Sequence, residues 1–143
     1  MTTPAQRTIL FLDDDPFMID VYSIKIHERG HTVIPMTSAQ DALKKLREGL
    51  KPDVIAFDIR MPGMDGFQFV EALRKEHLAD TTPLIVLSNQ SEPEDFKRMK
   101  EFGVAAQFIK AHMLPDEMVT KFEQVIGTWI PPQGGVQFAQ PKL

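Results

Sequence analysis

No cysteine occurs among the 143 residues, which excludes disulfide bridges and thiolate metal sites. No apolar run approaches the roughly 18 residues that would cross a bilayer, so membrane insertion is not expected. The first apolar stretch, Ile9 to Leu12, runs directly into three aspartates. It therefore lacks the apolar core and small-residue cleavage site of a signal peptide, and a cytoplasmic protein is the default expectation. Positive charge is in short supply: 16 Lys and Arg stand against 20 Asp and Glu, a formal net charge of −4. Direct binding to duplex DNA through a basic face is not expected. Neither a GxGxxG nor a P-loop pattern follows any apolar run, which argues against a nucleotide site. His27 and His31 are four apart, but Gly30 breaks the helix between them. With His77 and His112 they form no metal-ligand set and read as surface residues.

What remains is a chain of ordinary globular composition, 43% hydrophobic and 25% charged, of a length suited to one domain. Short apolar runs alternate with amphipathic stretches. The runs are Ile9–Leu12, Thr32–Met36, Asp53–Phe57, Pro83–Leu87 and Gln107–Lys110. Between them, Asp15-Pro16 reads as a helix N-cap followed by proline at the first helical position. Ser38 with Asp41, and Ser91 with Glu94, resemble capping boxes, while Asp65-Gly66 marks a further helix start. Met118, Phe122, Val125, Ile126 and Trp129 recur at helical spacing. Five successive βα units predict a parallel sheet with helices on both faces, wound by right-handed crossovers. Residues 131–143, rich in Pro, Gly and Gln, read as a flexible tail or linker stub.

Ligands of an open parallel sheet bind beyond the carboxyl ends of its strands. The first strand ends in Asp13, Asp14 and Asp15, the third in Asp58, the fourth in Ser88 and the fifth in Lys110. Each has an ordinary reading: a solvated turn, a cap (the better reading for Asp15), a turn serine, a surface lysine. Their joint arrival at one rim is what those readings leave unexplained. Clustered carboxylates repel unless a cation compensates. Mg²⁺ suits a few carboxylate oxygens together with waters and phosphate oxygens. With a hydroxyl and an ammonium opposite, the set is the inventory of a phosphoryl-transfer site.

The stretches LFLDDDPF, DVIAFDIRMPGMDGF, PLIVLSN and FIK resemble the four signatures of response-regulator receiver domains, in the right order over about residues 7–130. The resemblance implies a flavodoxin-like (βα)5 three-layer sandwich with strand order 2-1-3-4-5, preceded by an extension at residues 1–6. It implies that Asp58 accepts a phosphoryl group from a phosphohistidine on a sensor histidine kinase or phosphotransfer protein. Asp14, Asp58 and the Arg60 backbone carbonyl would ligate Mg²⁺ (or Mn²⁺), with Asp13 acting through water. Lys110 and Ser88 would contact the phosphoryl oxygens. A downstream protein would read the face formed by helix four, strand five and helix five. Such a switch catalyses only its own phosphorylation and dephosphorylation. The alternative is a pseudo-receiver, the same fold used as a protein-binding module. A haloacid-type phosphatase needs an acid two residues after the nucleophile, where this chain has Arg60.

Two positions depart from the family pattern. Gln107 stands where Tyr or Phe is usual, and is expected to be either an unswitched surface residue or a hydrogen-bonding replacement. Ala111 stands where proline is usual after the lysine, predicting either a trans peptide with a rebuilt loop or a strained cis bond. Arg60, Asn89 and Gln90 are expected to tune the lifetime of the acyl phosphate.

Overall fold

The computed structural model describes residues 5–89 and 92–131. Five strands, β1 (Thr8–Leu12), β2 (Thr32–Met36), β3 (Val54–Asp58), β4 (Leu84–Ser88) and β5 (Ala106–Ile109), alternate with five helices. These are α1 (Pro16–Glu28), α2 (Ala39–Arg47), α3 (Gly66–Lys75), α4 (Pro93–Glu101) and α5 (Pro115–Thr128). The strands pair in parallel in the order β2-β1-β3-β4-β5, the flavodoxin-like arrangement expected. The predicted strand limits shift by a residue: Asp53 precedes β3, where its carboxylate accepts from the Thr8 N–H at 2.7 Å, and Lys110 follows β5.

The apolar runs exist because alternate strand residues face opposite layers. Leu10, Leu12, Ile55, Phe57, Leu84 and Val86 pack with residues of α2 and α3, and with Met99 of α4. Ile9, Phe11, Val54, Ala56, Ile85 and Leu87 pack with Tyr22 and Ile26 of α1, and with Met118, Val119 and Phe122 of α5. Two buried layers around one sheet hold the strand ends in register, so the rim at their carboxyl ends is a rigid platform.

Local signals set the helix starts. Asp15 caps α1 by accepting from the Phe17 N–H, and Ser38 caps α2 from the Asp41 N–H. A reciprocal box between Asp65 and Gln68 opens α3. At α4 the cap position is Glu92, followed by Pro93, with no side-chain cap bond; the expected cap Ser91 lies outside the described residues. Most of the tail predicted at residues 131–143 and most of the extension at 1–6 lie there too, although Gln6 is described and its amide donates to the Thr32 hydroxyl at 2.8 Å.

Candidate functional site

The sheet topology sets β1 beside β3, with Leu12 level with Phe57, so the residues after β1 face the end of β3. Asp13 is 1% exposed and its N–H donates to the Met36 carbonyl at 3.0 Å, which continues the β1–β2 ladder by one step. Its Oδ1 accepts from the Asp15 N–H at 2.9 Å. Asp58, 3% exposed, ends β3; its Oδ1 accepts from the Arg60 N–H at 3.3 Å. Asp14 is exposed, yet Asp13, Asp14 and Asp58 each offer a carboxylate oxygen within 4.8 Å of the others. The Asp15 carboxylate turns away to cap α1.

Lys110 reaches the cluster from the far side of the sheet. Its Nζ donates to Asp13 Oδ2 at 2.5 Å and to Asp58 Oδ2 at 3.0 Å. Burial opposes its charge, but the hydrogen bond to Asp13 and the charges of Asp58 and Asp13 outweigh that, and its pKa rises above the ordinary lysine value. Burial pushes the Asp58 carboxyl above the usual carboxylate range, and the Asp13 charge adds to this against the pull of Lys110. The two directions are compatible because one ammonium serves two carboxylates. Three carboxylates with one cation leave an uncompensated negative charge, which fits the donor set to a hard divalent ion.

Ser88 ends β4, one residue beyond Leu87, which is level with Asp58. It lines an open cavity of about 290 Å³ with Ile59, Arg60, Asn89, Glu92 and Asp95. Gly66 closes the wall behind Asp58. Its N–H donates to the Ile59 carbonyl at 2.8 Å, and a Cβ there would stand 2.6 Å from the Asp58 carbonyl oxygen. Only glycine lets α3 start this close to the end of β3.

Residues 9–123 match the response regulator receiver domain family. The chain belongs to this family. An uncharacterized 14.6 kDa protein of Leptolyngbya boryana is 35% identical over 95 residues, covering 66% of this chain and 72% of that protein. The transcriptional regulatory protein AfsQ1 of Streptomyces coelicolor is 32% identical over 103 residues, covering 72% of this chain and 44% of the relative. The chain spans about half the length of the curated transcriptional regulators it matches. The structure of the chemotaxis response regulator CheY4 of Vibrio cholerae superposes with a TM-score of 0.76 at 26% identity, covering 85% of this chain and 99% of that one.

The two departures from the receiver pattern have structural answers. Gln107 is half-buried and its Nε2 donates to the Phe96 carbonyl of α4 at 2.9 Å, so it is the hydrogen-bonding replacement and not a free surface residue. No cis peptide occurs among the described residues; after Lys110 this receiver forms a 3-10 turn, Lys110–His112, the rebuilt loop.

One expectation needs correction. His31 is not a surface residue: it is 3% exposed, accepts from the Arg7 N–H through Nδ1 at 3.1 Å, and its Nε2 lies 2.7 Å from Glu123 Oε2. Burial at the junction of β2 and α5 gives it a structural role that sequence spacing did not reveal. No histidine joins a metal-competent group among the described residues; the group found there is Asp13, Asp14 and Asp58. Sequence reasoning also missed Asp95, 18% exposed on α4, whose Oδ2 lies 3.1 Å from Arg60 Nη2. An ion pair between residues 35 apart leaves no local signal.

Among the described residues, no helix is long and apolar enough to cross a membrane.

Proposed function

We propose that this receiver is a phosphorylation-dependent switch in a two-component phosphorelay, accepting a phosphoryl group from a phosphohistidine onto Asp58. The observation that carries the reading is the bridge of Lys110 between the buried carboxylates of Asp13 and Asp58, with Asp14 alongside. A surface lysine and a solvated turn would not converge in this way.

An oxygen of the Asp58 carboxylate attacks phosphorus in line. The O–P bond forms as the P–N bond to the donor imidazole breaks, and the electron pair returns to the ring nitrogen, which takes up a proton. Asp58 is 3% exposed at the end of β3, and the Arg60 N–H fixes one of its oxygens for attack. The Lys110 ammonium, held charged by two carboxylates, neutralises charge on the transferred oxygens. The Ser88 hydroxyl donates to one of them. The Asp13, Asp14 and Asp58 carboxylates and the Arg60 carbonyl would hold Mg²⁺ (or Mn²⁺), which supplies further charge neutralisation when bound. A sensor histidine kinase or phosphotransfer protein is the donor, in the cytoplasm. A downstream protein reads α4, β5 and α5.

The Gln107 tether and the rebuilt loop at Ala111 favour one other reading, a pseudo-receiver that binds partners without phosphorylation. Incubation with Mg²⁺ and acetyl phosphate, followed by intact mass, separates the two. A gain of one phosphoryl group that Asp58→Asn abolishes supports the switch; an unchanged mass supports the binding module. A phosphatase of the haloacid type is disfavoured further, since the guanidinium two residues past Asp58 can supply no acid.

A further inference from the structure

Helix α4 is loosely anchored. Met99 is its one buried side chain among the described residues, and polar contacts hold the rest. Gln107 donates to the Phe96 carbonyl, Arg98 lies over the Phe67 ring at 3.9 Å, and Arg60 pairs with Asp95 at 3.1 Å. The last of these joins α4 to the acceptor loop itself, because the Arg60 N–H already donates to Asp58.

Arg60, Ser88, Glu92 and Asp95 line the same open cavity, and Arg60 is the one cation in its wall among the described residues. We infer that Arg60 is a positioning residue that couples the acceptor to α4 by exchanging partners. It holds Asp95 while Asp58 is free, and turns to the phosphoryl group when Asp58 carries one. This rests on the acceptor reading above and adds to it a route from chemistry to α4.

The exchange follows from relative strengths. Arg60 is 70% exposed at its side chain, and its contact with Asp95 is a single one. Exposed ion pairs of this kind contribute little. A phosphoryl group brings about −1.5 to −2 of charge and three acceptor oxygens to the same loop. Its larger charge and its third acceptor oxygen favour it over the single carboxylate contact that Asp95 offers. Once Arg60 has moved, Asp95 has lost the partner that tied it to the acceptor loop. The first turn of α4 is then held by one contact fewer, and Glu92 makes no cap bond that would replace it.

The test is hydrogen exchange of the α4 amides in the full chain, with Mg²⁺ alone and with Mg²⁺ plus beryllium fluoride as the phosphoryl mimic. In the wild type, loading should speed exchange by between about twofold and fivefold, the span expected for loss of one exposed ion pair. Asp95→Asn should show the faster exchange already at rest, with little further change on loading. Asp95→Glu should restore the wild-type difference. Glu92→Gln removes the same charge from the same cavity without touching Arg60, and should also keep it. If Asp95→Asn retains the full difference, or if Glu92→Gln behaves as Asp95→Asn does, partner exchange is overturned. Acetyl phosphate and intact mass separate the two levels. A mass gain with unresponsive α4 amides removes the coupling alone, whereas no gain removes the acceptor reading and the coupling with it.

Discussion

Replacing Asp58 with asparagine should make the metal-free protein more stable and its response to magnesium weaker. At an effective dielectric of about 20, the contact with Lys110 at 3.0 Å is an attraction of about 5.5 kcal/mol. The Asp13 oxygen, within 4.8 Å, repels by at least about 3.5 kcal/mol, and the exposed Asp14 adds a smaller, water-screened share. The net attraction is then at most about 2 kcal/mol, so the cost of burying a carboxylate that is 3% exposed, several kcal/mol, decides the sign, in keeping with the raised Asp58 pKa. Asparagine keeps the shape and removes the charge, and Lys110 keeps Asp13 as partner. The expected gain is about 1–2 kcal/mol, or about 2–8 °C in Tm for a domain of this size. A group whose pKa is raised on folding costs stability above its folded pKa, and the cost disappears as pH falls to the unfolded value. The difference between Asp58→Asn and wild type should therefore be full at neutral pH and shrink in acid. Magnesium at a hundred times its dissociation constant should add about 2.7 kcal/mol to the wild type and much less to the variant. Thermal melts with and without Mg²⁺, at neutral and acidic pH, measure all of this. A lower Tm for metal-free Asp58→Asn would show that the lysine pairing outweighs burial. Equal magnesium shifts in both proteins would place the ion away from Asp58.

Three further substitutions probe the frame around the rim. Gly66→Ala drives a Cβ against the Asp58 carbonyl oxygen and the Ile59 Cα, at 2.6 and 2.8 Å, and should cost about 1–3 kcal/mol while slowing phosphorylation by acetyl phosphate; wild-type melting and uptake would refute the clash. Arg74→Ala removes the guanidinium that is hydrogen-bonded to the Phe102, Ala79 and Gly103 carbonyls, and should lower urea stability by about 3 kcal/mol; a loss below about 1 kcal/mol would show that water replaces it. Gln107→Ala frees the Phe96 carbonyl and should cost about 1 kcal/mol, with faster exchange confined to α4 and β5; unchanged exchange there would make Gln107 a bystander.

The architecture was legible because its signals are local and repeated. Period-two burial is invisible when both faces are covered, yet the continuous apolar runs at Ile9–Leu12 and Val54–Phe57 are the consequence of that covering. The acidic cluster was legible for a topological reason. Strand ends in a parallel sheet share one rim, so naming the residue that ends each strand names the rim. What stayed hidden depends on side-chain reach across loops. Arg60 with Asp95, Gln107 with Phe96, and His31 with Glu123 join residues 35, 11 and 92 positions apart, through no repeating pattern.

The hidden contacts differ from the legible ones in energy as well as in visibility. Asp13 and Asp58 are held at the ends of strands that cannot shift without opening a packed layer. The bonds of α4 to the acceptor loop and to β5 are few and polar, on a helix with one buried side chain among the described residues. A switch needs both: a rim stiff enough to bind charge in one geometry, and a neighbouring element whose attachment one new charge can outweigh. On that reasoning Gln107 matters more than its single hydrogen bond suggests. Where an aromatic ring would be free to turn, the amide ties β5 to the Phe96 carbonyl, so motion of α4 after Arg60 lets go must pull on β5 or break that bond. Gln107→Ala should therefore leave α4 responsive to beryllium fluoride while β5 falls silent. A β5 response to loading that survives the substitution would mean that the two elements answer to Asp58 by separate routes.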